Sequence, residues 1–143
     1  MGFYTPEQWA AKDYEKNPAH LEGLKHRSAK GIMMRSRAEV SIAGVIDSLD
    51  RVYRYEQIIY IDGEPYAPDF TVFVPGTQEL KYIEYCGMMD DPEYVQRFLK
   101  KDRAYFEAGI RSGQNLLNIF ENSDHELDLE YIARQIGWFL EIR

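Results

Sequence analysis

The stretch YAPDFTVFVPGTQELKYIEYCG, residues 66–87, decides the fold. Two aromatic and β-branched runs, YAPDFTVFV (66–74) and LKYIEYC (80–86), flank PGTQ, whose Pro and Gly turn the chain back on itself. The result is a hairpin with Asp69 on one arm and Glu84 on the other. Residues facing each other across adjacent strands lie about 5 Å apart. Both acids sit among residues suited to a core, where a carboxylate is costly unless it is paired or metal-bound. Pro68, which cannot donate to a ladder, marks an edge, bulge or bend that would splay Asp69 out of the sheet. A magnesium ion takes one or two protein carboxylates, keeps several waters and uses substrate phosphate oxygens for the rest. The competing readings are a plain Pro-Asp turn and a solvent-facing strand glutamate.

Outward from this hairpin the pattern sorts into elements. Upstream, YRYEQIIYI (53–61) reads as another strand, joined to the 66–74 run through DGEP, an Asp-Gly hairpin signal. Before it, SRAEVSIAGVIDSL (36–49) is a helix capped by Ser36, with Val40, Ala43, Ile46 and Leu49 on an apolar stripe. The N-terminal TPEQWAAKDYEKNP opens a further helix with Thr5 as cap, Pro6 first and Gln8 closing a capping box, and Pro18 stops it. A polar, basic linker fills the gap to about residue 35. Downstream, DDPEYVQRFLKKDRAYFEAGI (90–110) is the clearest helix, capped by Asp91, entered by Pro92 and ended by Gly109. NLLNIF (115–120) reads as a fourth strand and LDLEYIARQIGWFL (127–140) as a closing amphipathic helix. One α/β domain spans residues 1–143, with a mixed four-stranded sheet flanked by helices and extra helices at both ends.

Composition bounds the function. A chain of 143 residues, 45% hydrophobic and 14% aromatic, suits one globular core. No run reaches membrane-span length, and MGFYTPEQWAAKDYEK lacks the pattern of a signal peptide and the Ser or Thr of a myristoylation site. The expected compartment is the cytoplasm. A single cysteine, Cys86, excludes an internal disulfide and a cysteine-built metal site. His20, His26 and His125 are scattered without metal-ligand spacing. Net charge is −7, against indiscriminate polyanion binding. Yet Lys25, Arg27, Lys30, Arg35 and Arg37 fall in one segment with no acid. That segment is either a solvated loop or a set of phosphate contacts leading into the second helix.

Glu39 is a third acid of interest. In SRAE it completes a capping box by folding back on Ser36, or it brings another carboxylate to the hairpin site. The order Glu39 in RSRAE, then PDF, then IEYCG resembles the PD-(D/E)XK nuclease superfamily, the restriction-endonuclease-like fold. The αβββαβ order over about residues 35–120 is similar to that family's core. RSxxE, YRYE, PDF, GMMDDPEY and a final GI resemble small uncharacterised phage-type members. The resemblance implies hydrolysis of nucleic-acid phosphodiesters using magnesium or manganese, with DNA ahead of RNA as substrate, and both an endonuclease and an exonuclease fit it. Its motif acids correspond to Glu39, Asp69 and Glu84, with the carbonyl of Tyr85 as a further metal ligand. A homodimer or a phage or host protein partner is compatible with it, and a membrane is not implied.

One departure stands out. The family's third motif reads Glu-x-Lys, and here it reads Glu84-Tyr85-Cys86. A cation must come from elsewhere if catalysis is retained. Lys101 and Tyr105, four apart on one helix face, have the spacing of the Gln-x-x-x-Tyr motif in RecB-like members. They are expected to supply the positive charge and its support. Lys101 is otherwise one solvated lysine in the KKDR run. The alternative function is a catalytically degenerate nuclease fold that binds nucleic acid or regulates a partner nuclease.

Overall fold

The computed structural model describes residues 5–77, 79–121, 124 and 126–141. The deciding hairpin forms from β6 (Phe70–Val74) and β7 (Glu79–Cys86), antiparallel with Phe70 opposite Ile83, but its first arm is shorter than the expected 66–74 run, whose Tyr66 pairs instead with Ile59 outside the main sheet. Alternate residues point to opposite faces. On one face Phe70, Val72 and Ile83 join Tyr53 and Tyr55 of β3 (Tyr53–Tyr55) and Ile119 of β8 (Leu116–Phe120). Against them pack Ile42, Ala43 and Ile46 of α2 (Arg37–Ser48) and Ile132, Ile136, Phe139 and Leu140 of α4 (Leu129–Glu141). Each such side chain taken fully out of water contributes about 1.5–3 kcal/mol, so this face holds the domain together.

The main sheet runs β3-β6-β7-β8, with β8 parallel to β7 and the other pairs antiparallel. The parallel pair needs a crossover, which α3 (Pro92–Glu107) supplies. Helix α3 covers the second face, where Tyr105 is buried. Helix α1 (Pro6–Ala11) also serves that face, with Trp9 tilted on Phe73 at 5.4 Å and the Arg54 guanidinium stacked on the Trp9 ring. The chain is therefore a mixed α/β domain with four helices among the described residues and a mixed four-stranded sheet.

Three further expectations need correction. The first helix does not run to Pro18 but ends at Ala11, with Lys12 extended. Tyr14 wins the competition: its hydroxyl donates to the Tyr55 carbonyl and accepts from the Tyr55 N–H, both at 3.2 Å. Residues 15–17 then run beside 56–58, with Ile58 N–H donating to the Glu15 carbonyl and Asn17 N–H to that of Glu56. Second, the strand expected over 53–61 breaks at Glu56, whose φ is +53°. Beyond the break, β4 (Ile59–Ile61) pairs only with β5 (Glu64–Tyr66) in a separate ribbon. The Asp62-Gly63 turn closes that ribbon, both residues at positive φ as a type I′ turn requires. Third, the basic linker is not featureless: β1 (His26–Arg27) and β2 (Met33–Met34) form a short hairpin, and Met34 is fully buried. Met1–Tyr4, Gln78 and His125, on which some sequence expectations fall, lie outside the described residues.

Candidate active site

Strand β6 begins one residue after Asp69, so the acid sits where the chain bends into the sheet. Pro68 is buried just before it. Continuing the β6–β7 register puts Asp69 beside Glu84, and the Tyr85 N–H donates to Asp69 Oδ2 at 2.7 Å. Burial first, then the carboxylates of Glu84 and Glu39, push the Asp69 carboxyl well above its ordinary value. The Tyr85 N–H and Lys101 oppose that rise without cancelling it. Asp69 therefore feels acids from both layers of the fold.

Glu84 is buried on the α3 side of β7. Lys101 Nζ lies 2.8 Å from its Oε2 and the Tyr105 hydroxyl donates to its Oε1 at 3.0 Å. One helical face thus delivers both partners to one carboxylate, the two residues being four apart. Burial works against the Lys101 charge, but Glu84 and then Asp69 outweigh it and the ammonium pKa is raised. Burial, followed by the Glu84 charge, keeps the Tyr105 proton on its oxygen, so it acts as donor. Cys86 is buried, and burial followed by Glu84 pushes its thiol up to about 12. It is neutral where the family motif has lysine.

Glu39 arrives from the first turn of α2. The Glu39 N–H donates to Ser36 Oγ at 3.1 Å, and the Ser36 hydroxyl donates to Glu39 Oε1 at 3.0 Å. The cap and the third carboxylate thus coexist: Ser36 holds both the backbone and the carboxylate of Glu39. Burial raises the Glu39 pKa, Glu56 adds to it, and the Ser36 and Tyr55 hydroxyls partly offset the rise.

Glu56 was not foreseen as a site residue. Its left-handed backbone turns it away from the strand and brings one carboxylate oxygen within 4.8 Å of oxygens from Glu39 and Asp69. Arg35 holds it in place, with Nε 2.7 Å from Oε2 and a second nitrogen 3.1 Å from Oε1. Arg35 also donates to the carbonyls of Ala19 and His20, and its backbone N–H to the Tyr55 hydroxyl at 3.0 Å. Its signal in the sequence is its place at the end of YRYE, where a second charged residue, Arg54, precedes it by two.

The five basic residues do not share one environment. Arg35 is committed to Glu56, and Lys30 lies 3.1 Å from Asp47. The side chains of Lys25, Arg27 and Arg37 are exposed and have no ion-pair partner among the described residues. Lys100, beside Lys101, is likewise exposed and unpaired among them. His20 is exposed beside Glu22 and His26 belongs to β1.

Compared with family models, with curated proteins and with solved structures, the chain matches none. The site rests on its own chemistry. Its oxygen-only donors, carboxylates of Glu39, Glu56 and Asp69 within one coordination span, fit a hard divalent cation such as magnesium or manganese. The four acids differ in their charge partners. Glu56 has Arg35 and Glu84 has Lys101, whereas Glu39 and Asp69 have no cation within ion-pair distance among the described residues. Those two are also the acids whose pKa values are raised. One divalent ion offsets two carboxylates.

Proposed function

We propose that the chain is a metal-dependent nuclease of the PD-(D/E)XK type, hydrolysing phosphodiester bonds of nucleic acid, DNA rather than RNA. The observation that carries this reading is the Lys101–Glu84 contact at 2.8 Å beside Asp69. A cation from α3 reaches the acid of the incomplete third motif, which is what an active site lacking the usual lysine needs.

In this reading Asp69 and Glu39 hold the ion, with Glu56, Glu84 and the Tyr85 carbonyl at its border. The bound metal supplies Lewis acidity to a phosphoryl oxygen and lowers the pKa of a water. The chain's own residues do the rest. Lys101 presents positive charge where the pentavalent phosphate gains negative charge, in a setting where a fixed charge counts for more than in water. Tyr105 and Glu84 keep that lysine in one orientation. Ser36, Tyr55 and Arg35 fix Glu39 and Glu56 so that little reorganisation accompanies reaction. Arg37, at the start of α2, is positioned to contact a flanking phosphate.

A second reading, a nuclease fold that binds nucleic acid or regulates a partner without cleaving, is favoured by the neutral Cys86 in the motif's lysine position. Manganese titration followed by melting separates binding from its absence, because a ligand that binds only the native state raises the melting temperature. Cleavage of labelled DNA in the same buffer then separates the two readings. Stabilisation with cleavage supports the nuclease; stabilisation without cleavage supports the binding module; neither outcome together removes the metal site.

A further inference from the structure

Tyr85 packs against the edge of the core cluster on the α2 side of the sheet. It is only partly buried, yet two features fix it. A Cβ at Gly87 would fall 2.5 Å from the Tyr85 hydroxyl and 2.7 Å from its Cζ, so glycine is what lets the ring fold back across residue 87. The hydroxyl donates to Glu121, just after β8. The ring thereby becomes one wall of an open cleft of about 400 Å3. Ser36 and Arg37 of the α2 start form a second side, and Leu127 and Leu129 a third. The cleft adjoins the acids at the α2 start, since Ser36, which lines it, donates its hydroxyl to Glu39 Oε1 at 3.0 Å.

We propose, building on the nuclease reading, that this cleft takes one unpaired nucleotide next to the scissile phosphate, making single-stranded or frayed nucleic acid the substrate class. An aromatic ring and two leucines suit the face of a base, and bases of any sequence stack on such a surface. Arg37 is exposed and unpaired among the described residues and suits the adjoining phosphate. A base can lie against the ring and the leucines only when its own face is free, so a stacked, paired base must be exposed before it uses the cleft.

The test measures binding by fluorescence anisotropy with Asp69→Asn protein, so that no cleavage intervenes, using a labelled single-stranded deoxyoligonucleotide and the blunt duplex made from it. The single strand is expected to bind at least tenfold tighter. Tyr85→Ala should weaken single-strand binding about tenfold and leave duplex binding nearly unchanged, and Arg37→Gln should weaken single-strand binding by a similar factor. Leu129→Trp, at an exposed position that fills the cleft without touching the core, should do the same and covers the case in which Tyr85→Ala fails to fold. Equal affinity for the two substrates, or unchanged single-strand affinity in both Arg37→Gln and Leu129→Trp, overturns the proposal. Wild-type cleavage alongside either result leaves the nuclease reading standing alone. Cleft-dependent single-strand binding without any wild-type cleavage upholds the cleft and removes the chemistry.

Discussion

Lys101→Met should separate structural from chemical work at the site. Lys101 Nζ is 2.8 Å from a Glu84 carboxylate whose side chain is only 4% exposed, while the lysine side chain is 32% exposed. At an effective dielectric of about 20, such a pair attracts by roughly 6 kcal/mol before desolvation is charged against it. Removing one partner from a fully buried pair costs about 3–5 kcal/mol. Solvent screening of Lys101, together with the Tyr105 hydroxyl that Glu84 keeps, lowers the expected loss to about 1–3 kcal/mol. For a domain of this size that is a fall in melting temperature of about 3–10 °C. Manganese should recover much of it, because the ion replaces the missing positive charge beside Glu84 and Asp69. Cleavage should nevertheless drop by about two to three orders of magnitude, the scale of one lost electrostatic stabiliser. Lys100→Met, about 100° away around α3, should change neither property appreciably. The assays are thermal melting with and without manganese and single-turnover cleavage of labelled DNA. If the two variants cleave equally, or Lys101→Met is as stable as wild type without metal and fully active with it, the assignment of the replacement cation is wrong.

Three further outcomes follow from the same geometry. The raised carboxyl of Asp69 means that the native state holds its proton more tightly than the unfolded chain does. Its stabilising contribution is therefore complete below the ordinary carboxylate range near pH 4 and is lost as pH rises through the elevated native value. Asp69→Asn should flatten the metal-free stability-versus-pH curve above pH 4 and abolish manganese stabilisation; an unchanged slope would place Asp69 outside the cluster. Arg35→Gln should cost about 2–4 kcal/mol in urea unfolding by stranding buried Glu56, whereas a neutral result would show that the pair carries no structural weight. Replacing Lys25, Arg27 and Arg37 by Gln together should reduce the log-affinity versus log-salt slope for DNA by up to about three units, and an unaltered slope returns the segment to a solvated loop.

Much of the frame was legible because local chemistry dictates it. Ser36 with Glu39, and Asp91 with Pro92, announce helix starts that depend on side chains within three residues. The Asp62-Gly63 turn is legible for the same reason. Lys101 was legible as a companion of Tyr105 because helical spacing alone puts them on one face. What local patterns could not carry was long-range. The end of α1 at Ala11 depends on Tyr14 bonding to Tyr55, 41 residues away. The break at Glu56 depends on Arg35, 21 residues upstream, holding a carboxylate out of an otherwise continuous strand. That same break hides the role of Glu56, since in YRYE it reads as an ordinary strand residue until the backbone turns left-handed. The basic segment likewise looked uniform until tertiary partners divided it, taking Arg35 and Lys30 and leaving Lys25, Arg27 and Arg37 exposed.

The most direct measurement is cleavage of a mixed panel of single- and double-stranded DNA and RNA by purified wild-type protein, with manganese and with chelator, beside the Glu39→Gln variant. The account predicts manganese-dependent phosphodiester cleavage, abolished by chelator and reduced at least a hundredfold in Glu39→Gln. Cleavage that persists in chelator or in Glu39→Gln, or a wild type that binds manganese and cuts none of the panel, would contradict it.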